Sequence, residues 1–156
     1  MGAIETKLRA LGIELPTKVA KGQGLIPVVR HGNLLFVSGH GPSGNDGTLL
    51  YRGRVGAEVS KEDAYQAARA TGIQLLRSIR DHLGDLDRVD RIVKALGFVN
   101  SADDFHEQPA VMHGFSDLMV EVFGAERGQH ARSAIGTSNL PNNQPVEIEL
   151  IVAVRD

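Results

Sequence analysis

The sequence predicts a single α+β domain, a β-sheet with two long helices packed on one face and a short helix ahead of it. Three observations carry this. Two stretches, starting at Ser60 and Pro109, keep a 3.6-residue apolar rhythm long enough for amphipathic helices. Short β-rich runs stand before, between and after them, in the order α-β-β-(β)-α-β-α-β-β. The chain has 156 residues, 42% hydrophobic and 23% charged, which suits one domain with one core.

Taken in order, residues 3–11 place Ile4, Leu8 and Leu11 at helical spacing, with Gly12 as the stop. Residues 16–24 read as a connection. Runs at 26–29 and 34–38 are strands of a hairpin around Arg30-His31-Gly32-Asn33. The glycine-rich stretch 39–47 is a loop, and a brief strand is expected at 49–52. Ser60 and Asp63 have capping-box spacing; Ala64, Ala67, Ala68, Thr71, Leu75, Ile79 and Leu83 then form the buried stripe of a helix closed by Gly84. A strand covers 92–100. The second long helix opens at Pro109, buries Val111, Phe115, Leu118 and Val122, and ends at Gly124. Strands at 130–137 and 146–155 follow, joined by the turn-rich Asn139-Leu140-Pro141-Asn142-Asn143.

The strands are apolar on both faces. Leu34 and Phe36 oppose Leu35 and Val37; Ile92, Leu96 and Phe98 oppose Val93, Ala95 and Val99. In the last strand Val146, Ile148, Leu150, Val152 and Val154 line one face and Ile151 and Ala153 the other. Two helices cover one face of such a sheet, so the other is expected to pack on further copies of the chain.

Composition narrows the function. The formal net charge of −2 offers no basic surface for nucleic acid or anionic membrane, and the absence of cysteine removes disulfides, thiolate catalysis and thiolate metal sites. The six histidines, His31, His40, His82, His106, His113 and His130, lack metal-ligand spacing, so neither a metal nor a cofactor is expected. Residues 1–15 mix charged with apolar residues, unlike a signal peptide, and no apolar run nears the roughly 20 residues of a membrane span. The expected location is the cytoplasm. Phosphate-loop, nucleophile-elbow, zinc-protease and dinucleotide motifs are missing.

Two charged residues stand out. Glu149, with Glu147 on the same face, enters a sheet face expected to be covered, which is costly for an unpaired carboxylate. Arg132 sits among small residues in Ala131-Arg132-Ser133-Ala134-Ile135, leaving room for a ligand carboxylate gripped by its fork. A structural Arg132–Glu149 pair tying two strands together is the alternative.

Three segments resemble the RidA/YjgF family. Gly32-Asn33-Leu34-Leu35-Phe36-Val37-Ser38-Gly39 is similar to the family's strand ending in a Ser-Gly turn, and 131–135 to its carboxylate-binding strand. Leu140-Pro141 followed by residues 146–154 resembles its terminal strand. The likeness runs from about residue 25 onward, so 1–20 are expected to be a helical extension and 21–156 the family domain.

That resemblance implies a chorismate-mutase-like fold with a mixed sheet and a homotrimer with clefts between subunits. It implies that Arg132 grips the carboxylate of an amino- or imino-acid, that Glu149 positions or activates water, and that Ser38, Gly39, His40, His113, Ser133 and Ala134 line the pocket. The implied reaction is hydrolysis of an enamine or imine to a 2-keto acid and ammonia. The alternatives are a non-catalytic trimer that senses small carboxylates and, after it, a ribonuclease. Four positions depart from the pattern of the family's deaminases: Leu25 for a tyrosine, His40 for a glutamine, His113 for an asparagine and Ala134 for a cysteine.

Overall fold

Five strands make one sheet in the computed structural model, which describes residues 2–16 and 24–156. The chain runs α1 (Ala3–Ala10), β1 (Val28–His31), β2 (Leu34–His40), α2 (Lys61–Leu83), β3 (Val89–Asn100), α3 (Gln108–Phe123), α4 (Ala125–Gly128), β4 (Ala131–Thr137) and β5 (Val146–Val154). Strand order is β1-β2-β5-β3-β4. Only β3 and β4 pair in parallel, because α3 and α4 form the crossover between them, so the sheet is mixed.

Local signals set the two long helices. Ser60 caps α2, its Oγ accepting from the Asp63 backbone N–H at 3.0 Å, and Gly84 closes it at φ 80°. Every residue of the expected stripe is buried, as are Val111, Phe115, Leu118 and Val122 of α3. The helices approach closely at Gly114, where an added Cβ would lie 2.0 Å from the Tyr65 backbone oxygen. A backbone atom cannot rotate away. Gly114→Ala is therefore expected to cost about 1–3 kcal/mol, toward the upper end; an unchanged urea midpoint would show that α2 and α3 are not locked together there.

Leu35, Val37, Ala95, Val99, Ile148, Leu150 and Val152 form the buried, helix-covered face of the sheet. On the other face Val29, Phe36 and Ile135 are 48%, 43% and 46% exposed, with Leu34, Leu96, Phe98 and Ile151 half-buried around them.

Register alters two expectations. Ile92 does not share the open face with Leu96 and Phe98; it pairs with Val152 and is wholly buried. A bulge between Ile92 and Lys94 adds one residue and reverses the alternation. A second irregularity between Val37 and His40 brings His40 opposite Ile148 on the helix side.

Smaller corrections concern the ends of elements. The first strand begins at Val28, leaving Leu25 and Ile26 exposed, and its turn narrows to Gly32-Asn33, with Gly32 at φ 60°. No strand forms at 49–52; Leu49 makes only an isolated bridge to Ser43. Leu11 lies past the end of α1 and is 38% exposed, whereas Ile4 and Leu8 join the main core. The Asp87 carboxylate holds α1 in place, accepting from the N–H groups of Ala3 and Ile4 at 2.5 and 2.7 Å. The division expected at residues 20 and 21, and most of the connection at 16–24, lie outside the described residues.

Candidate functional site

Arg132 leaves edge strand β4 on the helix side, in register with buried Ala95. Its Nη1 reaches Ser116 Oγ at 3.1 Å and His113 Nδ1 at 3.3 Å, and its Nη2 donates to the Pro109 carbonyl at 3.3 Å. All three partners belong to α3. Pro109, His113 and Ser116 are spaced four and three residues apart, so one helix face presents them together. No carboxylate pairs with Arg132 among the described residues; Asp117, which lines the same cleft, accepts from the Tyr65 hydroxyl at 2.7 Å. The guanidinium faces a cleft of about 560 Å³ lined by His113, Ser116, Asp117 and His130. Burial lowers its pKa and Asp117 opposes this, but a guanidinium stays charged.

Ser116 links Arg132 to His130. Its oxygen accepts from Arg132, so its proton points to His130 Nε2 at 2.9 Å, and His130 Nδ1 donates to the Gly128 carbonyl at 2.7 Å. Burial, reinforced by Arg132, lowers the His130 pKa and favours the neutral ring that this chain of bonds requires.

A second group lies at the end of β2. Ser38 Oγ donates to the Ile26 carbonyl at 3.0 Å. At Gly39 an added Cβ would stand 3.0 Å from the Glu147 carboxyl group, so the glycine lets that carboxylate lie against the backbone. Glu147 is half-buried and accepts from Gln144 Nε2 at 3.1 Å. Burial raises its pKa and Glu149 adds to the rise, against the Gln144 hydrogen bond. Glu149 itself is exposed, opposite Leu96.

The remaining candidates scatter. Ser133 points to the open face, accepting from Lys94 Nζ at 3.3 Å, while Ala134 is on the helix side against the core. His40 has no hydrogen bond to Arg132 or to Glu147: Nδ1 meets the Ser38 backbone carbonyl at 2.6 Å and Nε2 meets Ser78 Oγ of α2 at 2.7 Å.

The structure therefore brings Arg132 to His113 and Gly39 to Glu147, but keeps the two groups apart. Strands β2 and β4 are separated by β5 and β3, roughly 14 Å at ordinary strand spacing. Arg132 and Glu149 also project from opposite faces and form no pair. Sequence reasoning did not single out Ser116 or His130, although the polar spacing Pro109, His113, Ser116 was a usable signal. Among the described residues no group of His, Asp and Glu could hold a metal ion, and no helix is long and apolar enough to cross a membrane.

Comparison with known proteins agrees with this architecture. A family model described as "YjgF/chorismate_mutase-like, putative endoribonuclease" matches residues 5–153. Protein TCP17 of Trypanosoma cruzi is 39% identical over 155 residues, covering 99% of this chain and 96% of its own. The crystal structure of Atu1372 from Agrobacterium tumefaciens, a protein of unknown function, is 38% identical with a TM-score of 0.88, over 97% of this chain and 91% of the other. A Shewanella oneidensis structure described as a putative endoribonuclease is 30% identical with a TM-score of 0.92, over 98% and 100%. The match takes in α1 as well as the sheet and both long helices, and the chain belongs to the YjgF/chorismate-mutase-like family.

Proposed function

We propose that this protein hydrolyses the C=N bond of small imino acids in a cleft completed by a second copy of the chain. The observation carrying this is the state of Arg132: a guanidinium held by a hydroxyl, an imidazole and a backbone carbonyl, aimed into a cleft and lacking a carboxylate partner among the described residues. Such a fork is suited to a ligand carboxylate. The Gly39–Glu147 group, too far away in the same chain, supplies the complementary half from a neighbour.

In this reading Arg132 fixes the substrate carboxylate and Glu147 takes a proton from water. The water oxygen adds to the imine carbon, and the C=N π pair moves to nitrogen, which takes up the proton. Glu147 then carries the proton of the new hydroxyl to the amino nitrogen, the C–N bond breaks as the ketone forms, and ammonia leaves. An imine is already electrophilic, so positioning and one proton shuttle suffice. Glu147 suits the role better than Glu149, because it lies against the Ser-Gly turn and burial makes it more basic. Ammonia release from freshly generated 2-imino acids tests the reaction; catalysis no faster than buffer alone would exclude it.

A homotrimer is part of the same proposal. Val29, Phe36 and Ile135 leave an apolar face that a single chain does not cover. Sedimentation is expected to give three times the chain mass at micromolar concentration. A folded monomer would contradict the shared cleft, and a dimer would contradict the trimeric arrangement.

The second reading is binding without turnover. It is favoured by the Arg132 half of the cleft, whose one carboxylate among the described residues, Asp117, already accepts from the Tyr65 hydroxyl. Saturable carboxylate binding with no ammonia released would select it. Ribonuclease activity, raised by the description of the Shewanella relative, has little support in a chain with net charge −2, no Trp and two Tyr.

A further inference from the structure

Arg77 of α2 is a second arginine without a counter-charge among the described residues. It is 7% exposed, and its neighbours Gln74 and Ser78 are 6% and 3% exposed. These polar residues are buried beside the apolar stripe of α2, under the loop at 41–47. Among the described residues Arg77 Nε has no hydrogen-bond partner, and the one side-chain bond of Arg77 is a long contact from Nη2 to Ser78 Oγ at 3.4 Å. Nearby carboxylates are engaged elsewhere: Asp81 pairs with Arg80 at 2.9 Å, and exposed Asp46 accepts from the backbone N–H and the hydroxyl of Thr48. Residues 17–23 contain no Asp or Glu to supply one. A buried guanidinium left in this state is costly unless a ligand completes it.

A cavity of about 310 Å³ lies beside it, lined by Arg77, His40, Gln74, Gly41, Asn45 and Asp46 among others. Gln74 holds the roof, its Nε2 donating to the carbonyls of Ser43 at 2.7 Å and Gly44 at 3.3 Å. The hydrogen bonds of His40 suit a neutral ring. Its Nδ1 donates to the Ser38 carbonyl, and Ser78, which accepts from Arg77, turns its own proton to His40 Nε2. The sequence Arg–Ser–His–carbonyl repeats the one from Arg132 through Ser116 and His130 to Gly128, and in both cases the arginine faces a cavity.

We propose that the cavity between α2 and the loop at 41–47 is a second binding site for a small oxyanion, a carboxylate or a phosphate, with Arg77 as its anchor and His40 beside it. The site is independent of the reaction proposed at Arg132. The charged groups facing His40 are Arg77 from α2 and Asp46 from the loop, with Arg80 and Asp81 further along α2. Burial and Arg77 hold the His40 pKa down. An anion on Arg77 offsets that field, so His40 takes a proton more readily and anion affinity rises as pH falls.

The two histidines allow the two sites to be read separately. NMR of ring-labelled full-length protein, titrated with inorganic phosphate or with acetate against chloride of equal ionic strength, follows His40 for the Arg77 cavity and His130 for the Arg132 cleft. In the wild type His40 signals are expected to move saturably at millimolar anion, with the midpoint of its titration rising by about 1 pH unit. The tighter of the two anions identifies the ligand as phosphate- or carboxylate-bearing. Arg77→Met should abolish the His40 response and keep that of His130; Arg132→Met should do the reverse. Should Arg77→Met fail to fold, Arg77→Lys, which keeps the charge without the fork, is expected to weaken the response at least tenfold. Wild-type His40 signals indifferent to both anions at tens of millimolar would overturn the site, as would a full response in Arg77→Met.

Discussion

Arg132→Ala is expected to weaken binding of small carboxylates by about 2–5 kcal/mol, the loss that follows when one partner of a desolvated charge pair is removed. The fold should tolerate the change. The partners of Arg132 are a hydroxyl, an imidazole and a backbone carbonyl, so its removal strands no buried carboxylate, and Ser116 keeps its bond to His130. A stability loss of about 1 kcal/mol is expected, the net worth of ordinary hydrogen bonds. Arg132→Lys should not restore affinity, because an ammonium cannot bind both carboxylate oxygens in the planar geometry of the fork. Calorimetric titration and thermal melts on the two variants separate a ligand anchor from a structural arginine. A drop in stability of about 3–5 kcal/mol with unchanged carboxylate affinity would make Arg132 structural.

Glu147→Gln is expected to lower the rate of imine hydrolysis by about 10²–10⁴, the usual contribution of a positioned proton-transfer group. Its effect on stability has a definite sign. Burial raises the Glu147 pKa in the folded state, so the folded protein holds this proton to higher pH than the unfolded chain does. Ionising Glu147 therefore costs folding stability. The cost is absent below the unfolded pKa, near 4.3 for glutamate, and complete above the raised folded value. The uncharged glutamine escapes it, so the variant should melt at or above the wild-type temperature at neutral pH, and the advantage should disappear as pH falls toward 4. Glu149→Gln, at an exposed position, should leave turnover near wild type. If Glu149→Gln is the inactive variant and Glu147→Gln is not, the roles of the two carboxylates are reversed.

Both experiments begin from residues that were legible to different degrees. Arg132 stood out in the sequence because a long cation among small residues is unusual within a strand, and the structure finds it without a carboxylate partner among the described residues. The family resemblance points to Glu149, whereas alternation alone puts Glu147 and Glu149 on the same face. What separates them is the neighbouring strand: Gly39 lies beside Glu147, and that follows from a pairing between distant parts of the chain. His40 shows the limit more sharply. Counting by twos along its strand puts it with Leu34, Phe36 and Ser38, yet the irregularity between Val37 and His40 turns it to the helix side.

The α+β class, the two long helices with their caps at Ser60 and Gly84, the two-faced apolar strands and the family that their order suggests are all legible in the sequence. These depend on capping, turn residues and short-range periodicity, which act within a few residues of one another. The strand order β1-β2-β5-β3-β4, the bulges that reverse Ile92 and His40, and the placing of Gly39 beside Glu147 are set only by the packed fold. The packed fold also decides that Arg77, three residues from Gln74 on a helix read for its apolar stripe, is buried with no counter-charge among the described residues. The reason is physical: one extra residue in a strand costs little locally but exchanges the two faces of everything beyond it, and only the pairing and packing of the whole sheet select where it falls.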